Sequence, residues 1–143
     1  MSSLAQASWA HGVGVQLENS SWKALRQGFG TTVTPSTGTT TGWIHIAIPT
    51  PVWLHGVHLK ALTALVQVAT GSAARITLVH AYDGEKKILD TSSNITGPTQ
   101  VPRFQIPGTP AIDFGTEISM LVEFDNTGPN AWCRLIGGGI DFV

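Results

Sequence analysis

Isoleucine fills every second position in the run Trp43-Ile44-His45-Ile46-Ala47-Ile48, and Pro49 follows at once. Only an extended chain places alternate residues on one face, so this run reads as a strand with a buried isoleucine side. Pro49 ends it, because proline has no N–H to give a ladder. The same period returns at Ile118, Met120, Val122 and Phe124, with Ser119, Glu123 and Asp125 on the other face and Leu121 between them. That is a strand half in the core and half in water. Arg75 to Tyr82 reads as a strand, Asp83-Gly84 as a hairpin signal and Lys86 to Thr91 as the returning strand, with Glu85 leaving room for a longer turn. The last strand runs Ala131 to Ile136, meets Gly137-Gly138-Gly139 and resumes as Ile140-Asp141-Phe142. Glycines inside a strand pattern imply a bulge, a bend or a close approach of another backbone.

Two segments are less determined. His58 to Ala69 fits a helical stripe through Leu59, Leu62, Leu65, Val66 and Ala69, and also a long strand. Its β-rich neighbourhood and missing capping box favour the strand. Gly28 to Gly42 is rich in threonine and reads as a long loop or an irregular edge strand. Strands with turn signals between them give an all-β class: a single-domain antiparallel β-sandwich, jelly-roll-like, over residues 1–143, with 1–10 as an extended N-terminal arm. A chain of 143 residues is long enough for one good core and shows no internal repeat or linker.

Charged residues make up 12% of the chain, about half the usual share. The eight lysines and arginines are scattered apart from Lys86-Lys87, so no basic track exists for phosphates and nucleic acid is excluded as a partner. Cys133 stands alone in an apolar stretch. It reads as a buried, inert thiol, with no disulfide and no thiolate metal set available. Gln27 to Leu59 lacks Asp, Glu, Lys and Arg, but its Thr, Gly and Pro content rules out a membrane span. Met1 to Ala10 carries no basic residue and no apolar run of a secretory leader. The default expectation is a cytoplasmic protein, with signal-free export left open.

The histidines are His11, His45, His55, His58 and His80, and no His-x-His pair occurs. His45, His58 and His80 on adjacent strands form a weak metal set. Isolated polar residues on a sheet are the simpler reading, and no cofactor is expected. Serine, histidine and aspartate are all present, but no Gly-x-Ser-x-Gly elbow is. Glu117 and Glu123 read as flanking one strand on different faces, so no carboxylate pair across a cleft emerges. Neither Gly12-Val13-Gly14 nor the glycine triplet precedes a helical pattern, which excludes a phosphate loop. Among the tryptophans, Trp22 follows Asn19-Ser20-Ser21 and Trp53 follows Pro49-Thr50-Pro51. Both lie in loop-like contexts. With Asp83 they are the candidate ligand-binding residues, suited to a sugar face or a protein partner.

Several landmarks occur together: Trp9-Ala10-His11-Gly12, Gly28-Phe29-Gly30-Thr31, Ile48-Pro49-Thr50-Pro51-Val52, Val79-His80-Ala81-Tyr82-Asp83-Gly84 and Gly137-Gly138-Gly139-Ile140-Asp141-Phe142. The set resembles a family of small uncharacterised bacterial all-β proteins with a Trp-Ala-His-Gly start and a Gly-rich, Ile-Asp-Phe end. The resemblance implies one bacterial β domain and brings no activity, cofactor or catalytic residue. Low charge leaves few lysines to protect sheet edges, and a second copy would cover them. The expectation is therefore a non-enzymatic, self-associating structural or assembly subunit, a homo-oligomer. A lectin-like carbohydrate-binding module is the alternative, and a histidine-metal enzyme comes third.

Overall fold

The two-residue period and the Gly/Pro punctuation resolve into short and long strands in the computed structural model, which describes residues 4–143. In chain order these are β1 (Gln6–His11), β2 (Gln16–Leu17), β3 (Lys23–Gln27), β4 (Gly30–Thr34), β5 (Thr41–Ile48), β6 (Trp53–Leu54), β7 (Val57–His58), β8 (Ala61–Thr70), β9 (Ala74–Asp83), β10 (Lys86–Ile95), β11 (Arg103–Gln105), β12 (Thr116–Phe124) and β13 (Cys133–Phe142). The one helical piece among the described residues is a 3-10 turn at Gly12–Gly14.

The strands form an antiparallel β-sandwich. One sheet has the order β11-β8-β13-β4-β3, with β1 also paired to β13. The other has the order β10-β9-β12-β5-β2, and β6-β7 is a small separate hairpin. β1 and β4 lie end to end along one side of β13: β1 pairs residues Gly137 to Phe142, and β4 pairs Cys133 to Leu135. The chain moves from β1 into the 3-10 turn against β13, where a side chain on Gly12 would strike the Leu135 carbonyl.

The two inner faces supply the core. Ile44, Ile46 and Ile48 of β5 and Ile118, Met120, Val122 and Phe124 of β12 are all buried. They face Val66 and Val68 of β8, Val33 of β4 and Leu135, Ile140 and Phe142 of β13. Each fully buried isoleucine stabilises the fold by about 1.5–3 kcal/mol.

Residues 61–70 are strand, as the neighbourhood implied. The turn after Asp83 is a tight two-residue one, Gly84-Glu85, with Lys86 paired to Asp83 and Gly84 at φ 57°. The glycine triplet sits inside one continuous strand. Its bulge falls at Ile136, between the pairs Leu135–Val68 and Gly137–Gln67. Three expectations are corrected. Gly30–Thr34 is neither loop nor edge, because β4 is paired to β13 on one side and β3 on the other. Residues 6–10 of the expected arm belong to β1 within the chain's own sheet, while residues 1–3 lie outside the described residues. Glu117 and Glu123 share one face, since β12 pairs with β5 in unbroken register from Thr116 to Glu123.

Candidate functional site

Strict alternation along β9 would put Leu78, His80 and Tyr82 on the same face as buried Ile76. A bulge prevents this. Val122 pairs with Ile76 and Leu121 with Leu78, leaving Thr77 as the extra residue. A one-residue insertion reverses the facing of everything beyond it. Val79 and Ala81 therefore enter the core, and His80 and Tyr82 point outward.

The pairing then fixes rows across the outer face of the five-stranded sheet. One row runs Gln16, His45, Ser119, His80, Asp90 through β2, β5, β12, β9 and β10. The next carries Ala47, Glu117, Tyr82 and Lys87. On the other side lie Trp43, Leu121 and Leu78. Trp43 reaches across β12 to His80, with ring centroids 4.7 Å apart, and Tyr82 stands edge-on to His80 at 6.3 Å. Trp43, His45, His80 and Tyr82 line an open groove of about 480 Å³ with Glu18, Glu85, Glu117 and Ser119.

Its polar groups are tied together. Ser119 Oγ donates to Glu117 Oε1 at 2.6 Å, so its lone pairs face His45 Nδ1 at 2.8 Å. His45 Nε2 lies 2.8 Å from Glu18 Oε2. Both ring nitrogens thus face acceptors, and only the imidazolium form donates to both. The His45 pKa is accordingly raised. The Glu117 carboxylate beside it contributes most and Glu18 adds to it, while burial opposes them. On the far side Asp90 lies 3.0 Å from His80 Nε2 and 2.7 Å from Lys87 Nζ. Lys87 holds the Asp90 carboxyl below its usual range, with His80 adding to the effect.

Ser119, His45 and Glu18 touch in the order of a hydrolase triad, but the surroundings do not support that chemistry. Ser119 is 2% exposed, and its proton is committed to Glu117. β12 is paired on both sides, so its amides are taken up by the ladders rather than aimed at an oxyanion. What the groove offers instead is two aromatic faces amid carboxylate acceptors and imidazole donors, an arrangement for binding.

The three ligand-binding candidates singled out from sequence lie elsewhere. Trp22 is 5% exposed: its ring packs edge-on against Phe124 at 5.2 Å and its Nε1 donates to the Thr39 carbonyl. Its expected exposure is overturned, because the Asn19-Ser20-Ser21 turn folds the ring under the sheet end. Asp83 is also buried, and its carboxylate accepts the backbone N–H groups of Asp113, Phe114 and Gly115. It ties a loop to β9 instead of facing solvent. Trp53 is 62% exposed, as expected, and stacks on His58 with ring centroids 4.7 Å apart. Trp22 and Asp83 sit by opposite ends of β12, so the three do not form one site. Of the metal candidates, His45 and His80 share a row across Ser119. His58 lies apart, its Nε2 donating to the Ile112 carbonyl at 2.6 Å. No cluster of three or more His, Cys, Asp or Glu suited to a metal occurs among the described residues. Sequence reading missed Trp43, Tyr82, Glu117 and Ser119 as a set. The i, i+2 pairs Trp43/His45 and Glu117/Ser119, set opposite buried faces, were the available signal.

A family model described as a family of unknown function (DUF6623) matches residues 4–143. The chain belongs to this family. No curated protein matches the DUF6623 chain. Among solved structures it is similar to a family 29 carbohydrate-binding module from Piromyces equi, with a TM-score of 0.52 and 13% identity over 96% of this chain and 91% of that one. It is also similar to an exo-β-1,3-galactanase from Phanerochaete chrysosporium, with a TM-score of 0.51 and 14% identity, spanning 30% of that chain. At such identities the DUF6623 chain shares their fold, and fold alone assigns no activity.

Proposed function

We propose that this chain is a carbohydrate-binding module without catalytic activity, and that the groove on the outer face of the five-stranded sheet holds the glycan. The observation that carries the reading is the outward placing of Trp43 and Tyr82 beside His45, His80, Glu18 and Glu117. Sugar rings present apolar C–H faces and hydroxyl edges, which aromatic rings and carboxylate acceptors match. The fold likeness to a carbohydrate-binding module supports the reading without fixing the ligand. Self-association has a weaker footing. The free edge strand β3 exposes Leu25, but Lys23 and Arg26 on the same strand guard it against edge pairing.

A glycan array followed by calorimetry on its hits tests the proposal. Trp43→Ala and Tyr82→Ala should each weaken binding by about tenfold, or about 1.4 kcal/mol. Trp53→Ala, away from the groove, should leave it unchanged. An array without hits, or binding that survives both groove variants, rejects the reading.

A further inference from the structure

The other sheet carries a separate cluster. Arg134 of β13 pairs with Thr32 of β4 and shares its outward face. Its guanidinium carbon lies 5.0 Å from the ring centroid of Phe29 and 5.0 Å from that of Trp132. Nε donates to Thr32 Oγ1 at 3.1 Å. Two ring faces and one hydroxyl thus hold the guanidinium in place, which reduces the entropy that a contact at its far edge would cost. That far edge is unused: Nη1 and Nη2 meet no acceptor among the described residues. Other arginines are engaged, Arg75 with Asp125, Arg103 with Asp141 and Arg26 with the Val13 carbonyl.

Beside the guanidinium is a depression of about 560 Å³ whose lining includes Lys23, Thr32 and Thr34 and no aspartate or glutamate. A planar, pre-oriented fork next to a second cation in an acid-free hollow suits a planar carboxylate, which accepts two parallel N–H bonds. The threonine hydroxyls suit a hydroxyl-rich carrier of that group. We propose that Arg134 and Lys23 form a second binding site, on the face opposite the groove, for a carboxylate-bearing sugar such as a uronate residue of a glycan.

Titration calorimetry with tetragalacturonate and its fully methyl-esterified form tests this on the intact chain. The acid should bind, and esterification should weaken binding at least tenfold on the unaltered protein. Arg134→Ala should do the same, and Arg134→Lys should fail to restore affinity because an ammonium lacks the fork. Trp43→Ala should leave this binding unchanged, which separates the site from the groove. Far-ultraviolet circular dichroism verifies that each variant is folded. Absence of binding to the acid, equal binding of the ester, or full affinity in Arg134→Lys would each overturn the proposal.

Discussion

Replacing Asp83 tests the claim that this residue builds the fold and does not meet ligand. Its carboxylate accepts from Asp113 N at 2.8 Å, Phe114 N at 2.9 Å and Gly115 N at 3.1 Å, and the residue is 3% exposed. A hydrogen bond to a charged group is worth about 1.5–3 kcal/mol. Three that share one carboxylate are not additive, and water can replace part of the loss at exposed Asp113 and Phe114. The expected cost of Asp83→Ala is therefore about 3 kcal/mol. With an unfolding entropy of about 2.1 cal/mol/K per residue, or about 0.3 kcal/mol/K for this chain, Tm should fall by roughly 10 °C. Asp83→Asn keeps an oxygen for Phe114 and Gly115 but turns an amide donor toward Asp113 N. It should lose about half as much. Scanning calorimetry gives both values. A drop below about 3 °C for Asp83→Ala would mean that the loop holds itself and that the carboxylate is dispensable.

Gly139→Val should cost about 1–3 kcal/mol in a urea melt, because a Cβ there meets Trp9 Cδ2 at 2.7 Å and the Ser8 carbonyl at 2.8 Å, pushing β1 off β13. Wild-type stability in that variant would contradict the packing. Because the folded pKa of His45 is raised, its stabilisation is complete below the unfolded value of about 6.5 and fades as pH rises through the folded value. His45→Gln should therefore destabilise more at about pH 5.5 than at about pH 8.5, and equal losses would refute the assignment. Burial pushes the Cys133 thiol up to about 12. An aromatic disulfide reagent at neutral pH should titrate it only after denaturation, and prompt reaction with native protein would show that the strand opens.

The strands were legible wherever one face alternates cleanly against water, as at Ile44/Ile46/Ile48 and Ile118/Met120/Val122. The candidate site was less so, because it depends on pairing. His80 and Tyr82 share the parity of Ile76, and only the bulge at Thr77 turns them outward. No local pattern announces that bulge, since it is set by what β12 pairs with. Trp22 misled for a related reason. A polar turn before a tryptophan suggests exposure, yet the ring lies over Gly42, where any side chain would meet it. Asp83 was read as a turn residue free to bind, whereas its partners come from residues 113–115, far along the chain. The glycine triplet, read as a bulge, a bend or a close approach of another backbone, proves to be the close approach: β1 lies against Gly139, and the bulge falls just before the triplet, at Ile136.

The position of β13 sets the order in which this chain can fold. The five-stranded sheet has all its members once Phe124 has been made. The six-stranded sheet does not: β8, β4 and β1 all pair with β13, which follows every one of them in the chain. Until Cys133–Phe142 arrives, β8 and β4 have no strand between them and β1 has no partner at all. The inner isoleucine face of the finished sheet stays uncovered for that interval. Nearly the whole chain separates β1 from its pairing site, so closure is a non-local and slow step. Loss of Cys133–Phe142 would take away the middle of the sheet, leaving its flanking strands as open edges and the newly made chain prone to aggregate.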